Sequence, residues 1–285
     1  MGWLPYEVVD VFTDRPFAGN PLAVVLGTEA LATEELQALA AEFNLSETAF
    51  PQEVSGEGYR LRIFTPTVEL PFAGHPSVGA ASVLRRLGRV RAGRLVQRCG
   101  AGDLPLEVPA EGPVVLTAGT PSAGPVVDPG PLLDAVGLVA DDLDETAGDA
   151  GRAGCGIDFT YLLVRPDAVA RAVPDLRALA ALDLGTGLSL TAWDGAAAHS
   201  RVFVPEVGVA EDPATGSAAV GLGVHLAARG LLREGRTEYV VRQGEEVGRP
   251  STMRCAVEAR GGAAERVTVA GDAVLVARGE VRRPG

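Results

Sequence analysis

The chain has 285 residues, 47% of them apolar, and a formal net charge of −12. That length is enough for two domains of ordinary size, and the acidic balance disfavours nucleic acid or an anionic membrane as a partner, since both require a basic face. No lysine occurs, so all 25 basic residues are arginine; this excludes lysine Schiff-base chemistry and the P-loop lysine together.

Alternation at 6–12 predicts a first strand, and the apolar run 22–26 a second, separated by the turn Arg15-Pro16-Phe17-Ala18-Gly19-Asn20-Pro21. Thr33 is placed to cap a helix whose Leu36, Leu39, Ala40 and Phe43 share one face and which stops at Asn44. Strands are predicted at 45–51 and 59–64. A helix over 79–87, rich in small residues, ends at Arg85-Arg86, where cations suit the dipole. Short strands at 95–99, 104–108 and 114–118 lead to the Gly/Pro-rich stretch 119–131, which reads as a linker. Beyond it, 157–165, 188–193 and 200–204 read as strands and 174–182 as a helix. The segment 216–228 is apolar on every side, which predicts a helix surrounded by protein. Strands at 239–242, 253–259, 266–269 and 273–278 close the chain.

One phrase is written twice. Ala73-Gly74-His75-Pro76-Ser77-Val78-Gly79 recurs as Ala210-Glu211-Asp212-Pro213-Ala214-Thr215-Gly216, and Arg62-Ile63-Phe64 leads into the first copy as Arg201-Val202-Phe203 leads into the second. Sliding one on the other places His75 opposite Asp212. Each copy sets an ionisable residue and a proline before a helix start, where unpaired amides and the dipole favour an anion. Two such starts facing each other predict a cleft for a small acidic substrate. The expected fold class is α+β, with two pseudo-equivalent β-barrel-like domains each wrapped round a central helix. The first spans 1–118, completed by a C-terminal strand at about 271–285, and the second spans 119–270.

Other classes fit poorly. The N-terminus has no basic start or apolar core of a signal peptide, and the uncharged stretch 213–228 is too short and too polar at its start to span a bilayer. Cys99, Cys155 and Cys255 are odd in number and far apart, which suggests reduced thiols and a cytoplasmic location. His75, His199 and His225 show no metal spacing, so no metal is expected; His225 reads as a core residue and His199 as part of an Ala-rich turn. Gly221-Leu222-Gly223 lacks the third glycine of a dinucleotide fingerprint, with Leu226 in its place.

Six phrases in order, Phe17-Ala-Gly-Asn20-Pro21, Asn44-Leu-Ser46-Glu47-Thr48, Phe64-Thr-Pro66, Leu70-Pro71-Phe72-Ala-Gly74-His75-Pro76, Glu211-Asp212-Pro213-Ala-Thr-Gly216-Ser217-Ala218 and Gln243-Gly244 through Ser251, together resemble the PhzF family. The resemblance spans essentially the whole chain. It implies a diaminopimelate epimerase-like fold, a homodimer, no cofactor and a site between the domains. It also implies that Glu47 is the catalytic acid/base, with Asp212 and His75 in the catalytic set beside it, and that Ser217, Gly74 and Gly216 line the site, the glycines presenting amides; Ser46 and Asn20 are expected to bind substrate with them. A characterised member isomerises trans-2,3-dihydro-3-hydroxyanthranilate by moving a proton between ring carbons.

The residues themselves support these roles unevenly. Glu47 sits among apolar neighbours that would tune it toward acid/base work. Asp212 is equally suited to capping the helix that follows it. Two alternatives stand beside the isomerase reading. One is an amino-acid epimerase or racemase, disfavoured because no cysteine lies in 66–84 or 205–222. The other is a non-catalytic protein that binds small acids.

Overall fold

The structure, a computed structural model, describes residues 2–205 and 209–285. The chain divides into two compact units, Met1–Thr117 with Ala270–Gly285, and Ala118–Val269.

The first unit runs β1 (Trp3–Val11), β2 (Asn20–Val25), α1 (Thr33–Phe43), β3 (Glu47–Ser55), β4 (Gly58–Phe64), β5 (Glu69–Leu70), α2 (Gly74–Arg86), β6 (Gly93–Cys99), β7 (Gly102–Val108) and β8 (Val114–Thr117). The second runs β9 (Pro121–Val126), α3 (Pro129–Ala135), β10 (Gly151–Cys155), β11 (Asp158–Leu163), α4 (Pro166–Arg171), α5 (Leu176–Ala180), β12 (Leu188–Trp193), β13 (Ala197–Val204), β14 (Val209–Asp212), α6 (Gly216–Ala228), β15 (Gly235–Gln243), β16 (Ser251–Arg260) and β17 (Ala263–Gly271). The last strand, β18 (Ala273–Arg282), returns to the first unit and pairs antiparallel with β1.

The two units repeat one pairing scheme. In the first, β1–β2 is antiparallel, β2–β3 parallel, β3–β4 antiparallel and β4–β6 parallel. In the second, β10–β11, β11–β12, β12–β13 and β13–β15 follow the same order of senses. Parallel neighbours require a crossover, and these crossovers carry the helices: α1 or α4 with α5 outside, α2 or α6 at the centre. The outer helices bury Leu36, Leu39 and Ala40 against Val25, Phe50 and Phe64 in one unit. In the other, Leu133, Val169 and Leu179 pack on Leu162, Leu188 and Phe203.

The central helices are enclosed by strands of their own units, so glycine is required where neighbouring side chains approach most closely. In α2 every residue from Gly74 to Leu84 is buried. A Cβ on Gly79 would lie 2.5 Å from Leu22 and 2.8 Å from Val11. In α6 the glycines admit polar neighbours instead. The hydroxyls of Tyr161 and Tyr239 donate at 2.8 Å to the carbonyls of Ala218 and Ala219, in the space that a Cβ on Gly221 or Gly223 would occupy.

Several sequence expectations require correction. The helix expected over 79–87 begins at Gly74, because a proline in the first helical turn gives up an amide that has no intrahelical partner anyway. Both central helices are 13 residues long, and aligning them pairs Gly74 with Gly216, Val78 with Val220 and Gly79 with Gly221. His75 therefore lies within its helix, whereas Asp212 precedes the Thr215 cap of the other; the two are not equivalent positions. The stretch 119–131 holds β9, paired with β10, and the start of α3, so it is not a bare linker. Thr33 is not the cap of α1. That position is Ala32, whose amide donates to Glu35 Oε2 at 2.8 Å, while Thr33 Oγ1 accepts from Arg62 at 3.0 Å. His199 is in strand β13 rather than a turn.

Candidate active site

In the first unit, three elements, β2, β3 and α2, bring the predicted residues together. β2 opens at Asn20, which is fully buried, after a loop whose Gly19 adopts a φ of +65° and has no room for a Cβ against Val11 and Thr13. Buried Asp10 holds this loop by accepting the Phe17 amide at 2.6 Å. Ser46 donates to Asn20 Oδ1 at 3.1 Å, which ties the start of β3 to β2 just before Glu47. Glu47 is the first residue of β3, in register with Leu22. Its Oε2 stands 3.4 Å from His75 Nε2, with the histidine side chain 5% exposed and the carboxylate 17%.

This contact is not an ion pair at neutral pH. Burial pushes the His75 imidazole down to about 3, so it is neutral at pH 7, and the cost of burying the cation outweighs the nearby carboxylate. Nε2 of His75 makes no hydrogen bond among the described residues. Gly74 and His75 fill the first two positions of α2, where backbone amides lack intrahelical acceptors.

The first turn of α2 is fixed by a buried chain. Tyr59 donates to Gln97 Oε1 at 3.1 Å, Gln97 Nε2 donates to Ser77 Oγ at 2.8 Å, and Ser77 donates to the Ala73 carbonyl at 2.8 Å.

In the second unit, Asp212 ends β14 and Thr215 caps α6, with the amides of Gly216 and Ser217 at the helix start. Thr215 Oγ1 donates to Asp212 Oδ2 at 2.6 Å. Gln243, at the end of β15, donates to the Asp212 carbonyl at 2.7 Å and is itself buried.

Each β-hairpin ahead of a central helix is held by the same clamp. Arg62 makes a forked pair to Glu69 with both contacts at 2.7 Å and lies over the Phe64 ring. Arg201 pairs with both oxygens of Glu211 at 3.0 and 2.7 Å, lies over Phe203, and also donates to the Val169 and Ala172 carbonyls. Glu211 immediately precedes Asp212. These clamps were not predicted. The repeated Arg-x-Phe was visible in sequence, but the acid partners sit at different distances along the chain.

Two of the three cysteines are poorly suited to thiol chemistry. Burial pushes both Cys155 and Cys255 up to about 12, far from the thiolate form that acts as a nucleophile or base. Among the described residues, no group of three His, Cys, Asp or Glu side chains is placed to hold a metal. Of the other histidines, His225 is buried in α6 and stacked on Tyr161, and His199 pairs with Glu246 at 2.9 Å. No helix is long and apolar enough to cross a membrane among the described residues.

A family model described as phenazine biosynthesis-like protein, PhzC-PhzF, matches residues 9–279. The chain belongs to the phenazine biosynthesis-like family. A relative from Pseudomonas aeruginosa named trans-2,3-dihydro-3-hydroxyanthranilate isomerase is 34% identical over 281 residues, covering 96% of this chain and 98% of the relative. The PhzF-family crystal structure from Bacillus anthracis superposes with a TM-score of 0.88 at 25% identity, over 99% of this chain and 100% of that one. A hydroxyproline epimerase from Agrobacterium vitis shares the fold alone, with a TM-score of 0.64 at 13% identity over 98% of this chain and 92% of its own. This phenazine biosynthesis-like protein is thus an isomerase of α+β architecture.

Proposed function

We propose that this protein is a cofactor-independent isomerase that moves a proton between two carbons of a small carboxylate-bearing molecule, of the kind its relatives' name describes, trans-2,3-dihydro-3-hydroxyanthranilate. The observation that carries the proposal is the pairing of Glu47 with a buried, neutral histidine at 3.4 Å. A neutral imidazole does not stabilise the carboxylate anion as an imidazolium at that distance would, and such stabilisation would weaken it as a base. Glu47 takes the proton from one carbon and returns it to another. His75 lies beside the carboxyl group as a neutral neighbour. In the second unit Asp212 is placed to orient a polar group of an acidic molecule and the amides of Gly216 and Ser217 to take a carboxylate, as helix starts do, and the amide of Gly74 is placed likewise at the helix start of the first unit. Ser46 and Asn20 hold the Glu47 backbone in place.

The same reading includes a homodimer acting in the cytoplasm, supported by the family resemblance. Light scattering coupled to gel filtration tests the assembly. The thiol-based epimerase alternative is disfavoured because no cysteine lies in 66–84 or 205–222, and Cys155 and Cys255 are buried.

The decisive experiment is incubation with trans-2,3-dihydro-3-hydroxyanthranilate in heavy water, followed by mass and NMR analysis. Isomerisation with deuterium at one carbon is expected. Failure to isomerise this compound, together with no exchange in a panel of cyclic and amino acids, would overturn the proposal.

A further inference from the structure

The phrase that opens at Gln243 has no part in the proton transfer described so far, yet its first residue reaches the turn that carries Asp212. The amide orientation of Gln243 is fixed by its neighbours. The Thr215 backbone N–H lies 3.2 Å from one end of the side-chain amide, and a backbone N–H only donates, so that end is the carbonyl oxygen. The other end is then the NH2, which donates to the Asp212 carbonyl at 2.7 Å and to Thr215 Oγ1 at 3.0 Å.

This settles the threonine as well. With Oγ1 accepting from Gln243, its single proton is directed elsewhere, and Asp212 Oδ2 stands 2.6 Å away. The chain of donors therefore has one sense, from Gln243 through Thr215 to Asp212, and it ends on a carboxylate oxygen held as an acceptor, the state of the ionised acid. The strand that delivers Gln243 is brought close by Gly244, where φ is +82° and a Cβ would collide with the Pro213 and Arg249 carbonyls.

We infer that Gln243 and Thr215 are positioning residues that keep Asp212 ionised and fix its side-chain rotamer. The inference rests on the proposed role of Asp212 in orienting substrate. The arrangement in the first unit supports it. There Gln97, also buried on the strand that follows the central helix, donates to a hydroxyl in the first helical turn. That hydroxyl, of Ser77, donates to a backbone carbonyl, so the same device ends on a carboxylate only beside Asp212.

The test follows the Asp212 carboxyl carbon by NMR in carbon-13 aspartate-labelled protein, with Asp212→Asn identifying the resonance. Thr215→Val keeps the side-chain shape and removes the hydroxyl; Thr215→Ser restores it. Gln243→Leu removes the upstream donor. The titration midpoint of Asp212 is expected to rise by about one pH unit in Thr215→Val, the equivalent of one lost charge-assisted hydrogen bond. It should rise less in Gln243→Leu and stay at the wild-type value in Thr215→Ser. In turnover assays the acid limb of kcat/KM should move by the same amount in Thr215→Val. An unchanged Asp212 titration in Thr215→Val would overturn the inference, as would a loss of activity equal at every pH that serine does not rescue. A shifted titration in a protein without isomerase activity supports the relay and overturns the proposed function instead.

Discussion

The Oε2 of Glu47 and the Nε2 of His75 lie 3.4 Å apart, one on the first residue of a strand and the other in the first turn of a buried helix. Glutamine at position 47 would keep the size and the contact but could not accept and return a proton. Glu47→Gln is expected to lower turnover by roughly 10²–10⁴-fold, the contribution of a positioned acid/base. Substrate affinity, measured by calorimetry on the same variant, should change little, because on the proposed reading backbone amides take the carboxylate. Wild-type turnover in Glu47→Gln would remove this residue from the mechanism.

The pH dependence of stability follows from two buried histidines. Burial lowers His75 to about 3, and burial together with the Arg229 charge lowers His225 to about 4. Both are near 6.5 in the unfolded chain. Between those values the unfolded state binds protons that the folded state refuses, so stability falls as pH drops from 6.5 and the loss continues to about 3 to 4. Each histidine contributes up to about 1.4 kcal/mol per pH unit in that window. Urea unfolding of His225→Asn from pH 7 to pH 4 should show a shallower decline than wild type.

The two Arg–Glu clamps should differ in cost. The Arg201–Glu211 side chains are 8% and 9% exposed, whereas Arg62–Glu69 are 13% and 37% exposed. Arg201→Leu strands a carboxylate in a nearly dry setting and is expected to destabilise by about 3–5 kcal/mol. Removing Arg62 leaves Glu69 with access to water, and the expected cost is about 1 kcal/mol or less. Thermal or urea unfolding of the two variants checks the contrast; equal costs would argue against burial as the deciding term.

Gly221 is a packing requirement rather than a conformational one. Alanine is a better helix former by about 1 kcal/mol, but its methyl would meet the Tyr161 hydroxyl and the Ala153 carbonyl. Overpacking costs about 1–3 kcal/mol, so Gly221→Ala should be destabilising on balance. Adding Tyr161→Phe, which removes the colliding oxygen, should recover part of that loss in a double-mutant cycle, and a purely additive result would count against the contact.

How much of this was readable beforehand depended on whether a signal was local. Helix α6 was placed at its observed bounds because thirteen successive residues without a charged side chain have only one soluble explanation, enclosure by protein. Strand β12 was equally clear, an apolar run closed by Asp194-Gly195. The helices α3 and α4 were missed because each is short and begins with proline, which reads as loop. β9 was lost in the linker because its partner β10 lies beyond an intervening helix, and a mostly exposed strand of Pro121-Ser-Ala-Gly-Pro-Val has little periodicity of its own. At the site, Glu47 and His75 were both singled out, but nothing in their spacing stated that they touch. The duplicated phrase was real, yet its best sequence overlay paired His75 with Asp212, whereas the helix bounds pair Gly74 with Gly216. The relay from Gln243 through Thr215 was hidden because it is made by uncharged side chains that are distant in sequence and acquire direction only from their hydrogen bonds.

The return of β18 to β1 has a consequence for how the protein is made. During synthesis, β1 emerges before the second unit and β18 after it, so the edge of the first unit stays open while the whole second unit leaves the ribosome. β9, by contrast, is already available when its partner β10 appears. The second unit can close as it is translated, but the unit that carries Glu47 and His75 cannot. An exposed β1 edge invites pairing with other chains, and a fragment ending at Thr117 would carry that hazard permanently. Truncation from the C-terminal end should therefore disable the N-terminal chemistry first.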